Sequence, residues 1–236
     1  FNLKGMLSAG RVIREKIEEG ELIGWDDPSL PTLTALKRRG FMPEAIKQLV
    51  VESGISRTSG TSLTWDTLEK YNRRVLNDKA ERYFFIKAPV KITVEEDPKK
   101  EYSLKKHPDL DLGVRNFKST GEYYLEKEDY DSFKNGELIR LMDNINIIKK
   151  EDKFVYSSCD YLDYKEYPGS KKIIHFLPAD ESQTIKAKIL MPNHEMLEGI
   201  CEKEVSSLKV LDVIQFERFG FCKLDEIIED VYFFWF

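Results

Sequence analysis

Cysteine and histidine are scarce, three of each in 236 residues. Cys159, Cys201 and Cys222 form no CxxC, and His107, His175 and His194 do not stand at ligand spacing beside them. That spacing speaks against zinc sites and a disulfide framework, so no metal is expected and the thiols read as reduced, cytoplasmic cysteines. No stretch approaches the roughly 18 consecutive apolar residues a membrane span needs. The apolar run Val231-Tyr-Phe-Phe-Trp-Phe236 is only six residues and fits a strand. Phe1-Asn-Leu-Lys4 lacks the charged head and apolar middle of a signal peptide. Internal repeats and low-complexity tracts are missing. So are a nucleophile elbow and paired carboxylates with a histidine, which argues against a hydrolase or nuclease. A chain that starts at Phe and stops within a strand is expected to be a piece of a longer protein.

What is present is soluble and globular in character: 41% hydrophobic and 33% charged residues, enough for one large domain or two to three small ones. The net charge of −5 hides an asymmetry. Residues 1–88 carry 15 Lys+Arg against 12 Asp+Glu, whereas residues 89–236 carry 22 against 30. The basic excess gathers in clusters such as Lys37-Arg38-Arg39 and Arg73-Arg74. An acidic protein still holds RNA if its basic residues share one face, so distribution outweighs the sum.

Residues 1–88 read as helical. Val12, Ile13 and Ile17 recur at helical spacing, with a stop near Gly20. Gly24-Trp-Asp-Asp-Pro28 is a turn. Thr32 suits the N-cap of a second helix ending at Gly40, and Pro43 the first turn of a third running to about Ser53-Gly54. Thr64 caps a fourth, with Leu68, Tyr71 and Val75 along one face. From Tyr83 onward, short alternating or β-branched runs lie between turn signals, among them Val90–Val94, Leu138–Leu141, Ile145–Ile148, Ile173–Phe176, Thr184–Ile189 and Val213–Phe216. Pro98–Glu101 and Asp163–Ser170 are loop or boundary candidates. Regular strands in this number suggest two β-barrels. The expected fold is α+β and multidomain: an N-terminal all-α bundle, then two barrels.

Gly24-Trp-Asp-Asp-Pro-Ser-Leu-Pro-Thr and the following Arg38-Arg39-Gly40 resemble a segment shared by class I glutamyl- and glutaminyl-tRNA synthetases. Arg82-Tyr-Phe-Phe-Ile-Lys-Ala-Pro-Val-Lys91, His107-Pro-Asp109, Gly136-Glu-Leu-Ile-Arg-Leu-Met142, Ile174-His-Phe176 and Gln215-Phe-Glu-Arg-Phe-Gly-Phe221 extend the resemblance in order along the chain. Arg140-Leu-Met142, Leu177-Pro-Ala-Asp180 and Gly199-Ile-Cys-Glu202 look closer to the archaeal and eukaryotic-type glutamyl enzymes than to the glutaminyl ones. The C-terminal part of a glutaminyl enzyme, or a free-standing tRNA-binding protein, are the alternatives.

The resemblance implies a helical stem-contact domain with a remnant of the ATP-signature loop (1–87), a proximal barrel in two pieces (88–97 and 174–236) and a distal barrel between them (98–173). It implies that the catalytic domain is missing and that the piece alone is inactive. The parent would use ATP and Mg²⁺ to attach glutamate to tRNA(Glu), with tRNA(Gln) a further candidate and DNA and membranes excluded. Ser8 and Arg11 occupy the place of the ATP signature, although its usual lysine position falls at Gly10. Arg38 and Arg39 are expected on tRNA phosphates, or else at a solvated helix end. Arg82 either stacks on a splayed anticodon base or bridges to nearby acids. Gln215 offers a donor and an acceptor to a base edge. Arg218 either joins Gln215 or braces Glu217, and strand alternation would set it on the face of Phe216. Arg115 and Arg140 are the matching candidates in the distal barrel. The aromatics, Trp25 and Trp65 included, are expected mostly in packing.

Overall fold

A computed structural model describes residues 2–53, 62–98 and 100–236; Gly54 and Lys99 of the expected helix end and loop lie outside them. Four helices occupy the first third: α1 (Gly10–Glu18), α2 (Leu33–Arg38), α3 (Pro43–Ser53) and α4 (Trp65–Asn77). Their ends follow local chemistry. Thr32 accepts a hydrogen bond from the Ala35 amide at 3.1 Å and Thr64 one from Thr67 at 3.3 Å, each meeting an otherwise orphaned donor of the first turn. Pro43 is the first residue of α3, where its missing N–H costs nothing. Gly40, at φ +86°, takes the chain out of α2.

These helices do not gather into one bundle. One small core joins Ile13, Leu22, Leu30 and Ala35, and a second joins Leu36, Phe41, Leu49 and Leu68. Two short strands, Asn2–Leu3 and Ser62–Leu63, pair in parallel beside them. The buried face of α4 is Leu68, Asn72 and Leu76 rather than the Leu68–Tyr71–Val75 line. Asn72 explains the shift: its side chain accepts from the Met42 amide at 2.8 Å and donates to the Gly40 carbonyl at 3.3 Å.

Beyond Ala80 the chain builds two seven-stranded sheets. The first runs in the order Lys171–Ile174, Leu138–Leu141, Asn146–Lys150, Lys153–Ser158, Pro89–Glu95, Glu122–Glu126, Leu177–Pro178. The second runs Arg82–Tyr83, Val213–Phe216, Gly220–Ile228, Val231–Trp235, Thr184–Leu190, Met196–Glu202, Phe85–Lys87. In each, the two edge strands are consecutive pieces of one segment, 171–178 or 82–87, so each sheet must curl until its edges approach. A hairpin, Glu101–Lys105 with Val114–Lys118, stands apart.

Strand pairing moves the expected boundaries. Residues 89–95, assigned to the proximal barrel, pair with 122–126 and 154–155 of the other sheet. Residues 171–174 and 177–178 also belong to that first sheet. The second sheet draws instead on 82–87 and 184–235. The all-buried run Tyr83-Phe84-Phe85-Ile86 is the shared wall. Side chains alternate along a strand, so Tyr83 and Phe85 enter the second core while Phe84 and Ile86 enter the first. No helix among the described residues is long and apolar enough to cross a membrane.

Candidate nucleic-acid interface

The helical segment is clasped to the second sheet by polar contacts that single out the Gly24–Pro28 turn and the paired arginines. Asp27 is fully buried and accepts from the amides of Ile23 and Ser29 at 2.9 and 3.0 Å. His194, in a sheet turn at φ +67°, reaches the same carboxylate at 2.8 Å. Burial would raise the Asp27 pKa, but the bonds from Ser29, Ile23 and His194 outweigh it and hold it below the usual range. Arg38 forks onto Asp225 at 3.0 and 2.7 Å, bonds Asp26 at 2.6 Å and lies over the Trp235 ring at 3.9 Å. The Asp225 bond is the main cause of its raised pKa. In place of the solvated helix end that was the other expectation, Arg38 clasps the second sheet.

Arg39 is almost wholly buried. Its Nε donates to the Phe236 carbonyl at 2.7 Å, and its guanidinium sits over Trp65 at 4.7 Å and Phe41 at 5.1 Å. Its Nη1 is buried with no hydrogen-bond partner among the described residues. Burial pulls its pKa down to about 10 against the attraction of Glu69 3.6 Å away. Arg39 lines a cavity of about 300 Å³ at the junction of α4 and the second sheet, together with Arg73, Asn77, Gln215, Arg218 and Phe219. Gln215 Oε1 is also buried and unpartnered. Arg82 is the register partner of Gln215 on the neighbouring parallel strand, donates from Nη2 to Asn77 at 3.3 Å, and has a buried Nε without a partner. It faces a separate cavity of about 350 Å³ with Lys105, Asp143 and Glu217. Three predicted residues thus line one cavity, Arg39, Gln215 and Arg218, and Arg82 lies beside it as the register partner of Gln215.

The others do not. Arg115 is not a surface group of the distal barrel: it is 2% exposed, bonded to Glu202 at 2.8 Å and Glu217 at 3.2 Å, with Phe84 beneath it at 4.6 Å. Burial pushes Glu202 up to about 7 while Arg115 opposes it. Arg140 is buried as well, donating to Asn146 at 3.0 Å and lying over the exposed Tyr161 at 5.3 Å. Arg218, which does line the junction cavity, is not in the strand; it follows it in a turn at φ +64° and forks onto Asp129 of the short helix Lys127–Ser132 at 2.6 and 2.8 Å. Trp25, expected in packing, is 45% exposed. Ser8 and Arg11 lie exposed at the start of α1, with Arg11 bonded to Glu15 at 3.0 Å. With the Arg11 side chain 91% exposed, these two do not by themselves enclose a nucleotide.

Glu126, Asp129 and His175 bring ligand atoms within 4.8 Å of one another. The Arg218 guanidinium already holds both Asp129 oxygens and donates to His175 Nδ1 at 2.9 Å, while His175 Nε2 donates to the Phe85 carbonyl at 2.8 Å. An arginine therefore fills the place of a cation, and the trio does not fit Mg²⁺, which prefers an octahedron of oxygens. Sequence reading missed Glu69, Asn72 and Asn77 and marked Arg73 only as part of a basic cluster. Their signal was a polar stripe on α4 at three-to-four spacing, behind the apolar line that drew attention.

Comparison with known proteins adds an independent line. The family model described as tRNA synthetases class I (E and Q), catalytic domain, matches residues 2–78. Two models described as the anti-codon binding domain of the same class match residues 80–161 and 173–225. The expectation that the catalytic domain is missing is corrected by the first match. The chain is 36% identical to the glutamate–tRNA ligase of Methanococcus maripaludis, over 98% of this chain and 41% of that protein. It is 34% identical to the glutamate–tRNA ligase of Pyrococcus abyssi, over 96% of this chain and 40% of that protein. For the glutamate–tRNA ligase of Methanocaldococcus jannaschii the figures are 38%, 89% and 37%. The chain spans about two fifths of the length of these curated relatives.

Proposed function

The chain belongs to the class I glutamyl/glutaminyl-tRNA synthetase family, and from that premise we propose that it is the tRNA-gripping portion of a glutamate–tRNA ligase. The two sheets, 89–178 and 82–87 with 184–235, serve as the distal and proximal barrels, and the α1–α4 segment steadies the tRNA. The observation that carries this reading is the junction cavity, where Arg39 Nη1 and Gln215 Oε1 lack partners. Buried polar atoms left unpaired cost about 1–3 kcal/mol each, so a ligand that pairs them is favoured. A single-stranded base splayed from an anticodon loop supplies donors and acceptors on one edge and a flat face for Phe219. Arg73 and Arg82 beside it suit the flanking phosphates.

The relatives' name supports glutamate as the amino acid attached; ATP as the energy source and the cytoplasm as the place belong to the same proposal, and acceptance of tRNA(Gln) as well would be a relaxed form of the same recognition. Ser8 and Arg11 are exposed, Arg11 with Glu15 at 3.0 Å, and would meet a phosphate supplied from outside these residues. Positioning of the acceptor end is a contribution this part makes to rate.

Filter binding at fixed salt tests the proposal. A tRNA(Glu) transcript should bind about tenfold more tightly than one with altered anticodon bases, a difference near 1.4 kcal/mol. Gln215→Leu should erase most of that difference while leaving the thermal melt in place. Equal affinity of the unaltered chain for every transcript would refute anticodon reading, leaving only general phosphate attraction.

A further inference from the structure

A larger concavity of about 730 Å³ runs between α2, α3, the end of α4 and the 211–213 loop of the second sheet. Met42, Pro43, Ile46, Leu76, Ala80 and Val213 give it an apolar lining. At Lys37, Leu211 and Lys223 it continues into a second hollow of about 500 Å³ beside Trp25 and Thr34. The rim exposes apolar side chains that a folded protein has no internal reason to expose together: Leu33 at 73%, Leu211 at 63% and Trp25 at 45%. Leu211 stands at φ +84°, a conformation normally left to glycine, and although its amide bonds the Leu224 carbonyl at 2.8 Å its side chain is not packed into a core. Contiguous exposed apolar surface with a charged rim marks a docking site.

The rim charge says what docks. Lys37, Lys47 and Lys79 are exposed, and none forms an ion pair with a described residue. The one carboxylate lining the larger hollow, Asp212, is occupied in capping the Lys209 amide at 2.8 Å. Lys223 is turned inward onto the Lys37 carbonyl at 2.8 Å. An apolar floor flanked by free lysines complements a chain with apolar anchors and acidic neighbours, and two joined hollows exceed what one small metabolite fills. RNA fits less well, since the floor offers aliphatic side chains where bases would need stacking faces and polar edges. We propose that this groove docks an acidic amphipathic segment of a partner protein, its apolar residues on Met42, Ile46, Leu211 and Val213 and its carboxylates at Lys37, Lys47 and Lys79.

A random 12-residue peptide library displayed on phage, panned against the chain, tests this directly. Enriched peptides should place Asp or Glu beside Leu, Ile, Phe or Met. Their affinity, measured by fluorescence anisotropy, should fall about tenfold or more in Leu211→Asp and in Lys47→Glu/Lys79→Glu. All three positions are exposed, and circular dichroism of each variant should match the unaltered chain. The proposal fails if no enriched peptide depends on these positions, or if the dependent ones are basic. It fails equally if Lys37→Glu/Lys47→Glu/Lys79→Glu weakens tRNA binding about tenfold without affecting the peptides, which would make the groove an RNA surface. A concentration-dependent dimer abolished by Leu211→Asp would replace the partner with a second copy and also overturn it.

Discussion

Arginines hold both major interfaces of this molecule, but in different ways. Where the second sheet meets the first core, Arg115 of the hairpin meets Glu202 and Glu217, and Arg218 meets Asp129 and His175, with carboxylates from a strand end, a turn and a short helix absorbing the charge. Between the helices and the second sheet, Arg38 is similarly absorbed, but Arg39, Arg82 and Gln215 keep polar atoms unspent beside open volume. The lesson concerns how to choose binding residues. A guanidinium whose partners are all internal is a fastener, whatever the surrounding motif; one with a donor left over next to a cavity is a candidate for a ligand.

If that division is right, breaking the Arg115 side should cost stability first. Arg115→Met strands Glu202 as an unpaired buried carboxylate and should destabilise the fold by about 3–5 kcal/mol in urea unfolding. Adding Glu202→Gln should return more than half of that loss. A destabilisation below about 1 kcal/mol would mean the pair is not a fastener.

The second effect is smaller and depends on pH. Burial, followed by the nearby Arg218 charge, lowers the His175 pKa from 6.5 to about 4. The folded ring is therefore neutral, and its contribution is present above the unfolded pKa and lost as pH falls from about 6.5 toward 4. Compared with His175→Gln, the protein's stability advantage at pH 7 should shrink by about 2–3 kcal/mol by pH 4.5. A gap that stays constant with pH would show that His175 is not held neutral.

Much of the local structure was legible because its causes are local. Thr32, Thr64, Pro43 and Gly40 act on neighbours a few residues away, so the helix ends followed from sequence. The strands were visible in their alternation, but their partners were not: nothing within 88–97 says that it pairs with 122–126. The single-bundle expectation is not confirmed, because α1 packs with Leu22, Leu30 and Ala35 in one small core while Leu36 of the same α2 joins α3 and α4 in another. For the candidate site, motif position found Gln215 and Arg82, which the fold places in register. It did not foresee the internal partners of Arg38, Arg115 and Arg218, because each lies far off in sequence: Asp225, Glu202 and Asp129. His194, the partner that fixes Asp27, carried no signal for the same reason.

The central claim is that the junction of α4 and the second sheet receives an anticodon base. An anticodon stem-loop carrying 4-thiouridine in the anticodon, irradiated in complex with the chain and mapped by mass spectrometry, addresses it most directly. Cross-links should fall within 69–82 and 215–221, the segments lining the two cavities. Cross-links confined to α1–α3, or to the first sheet around Arg140, would contradict it.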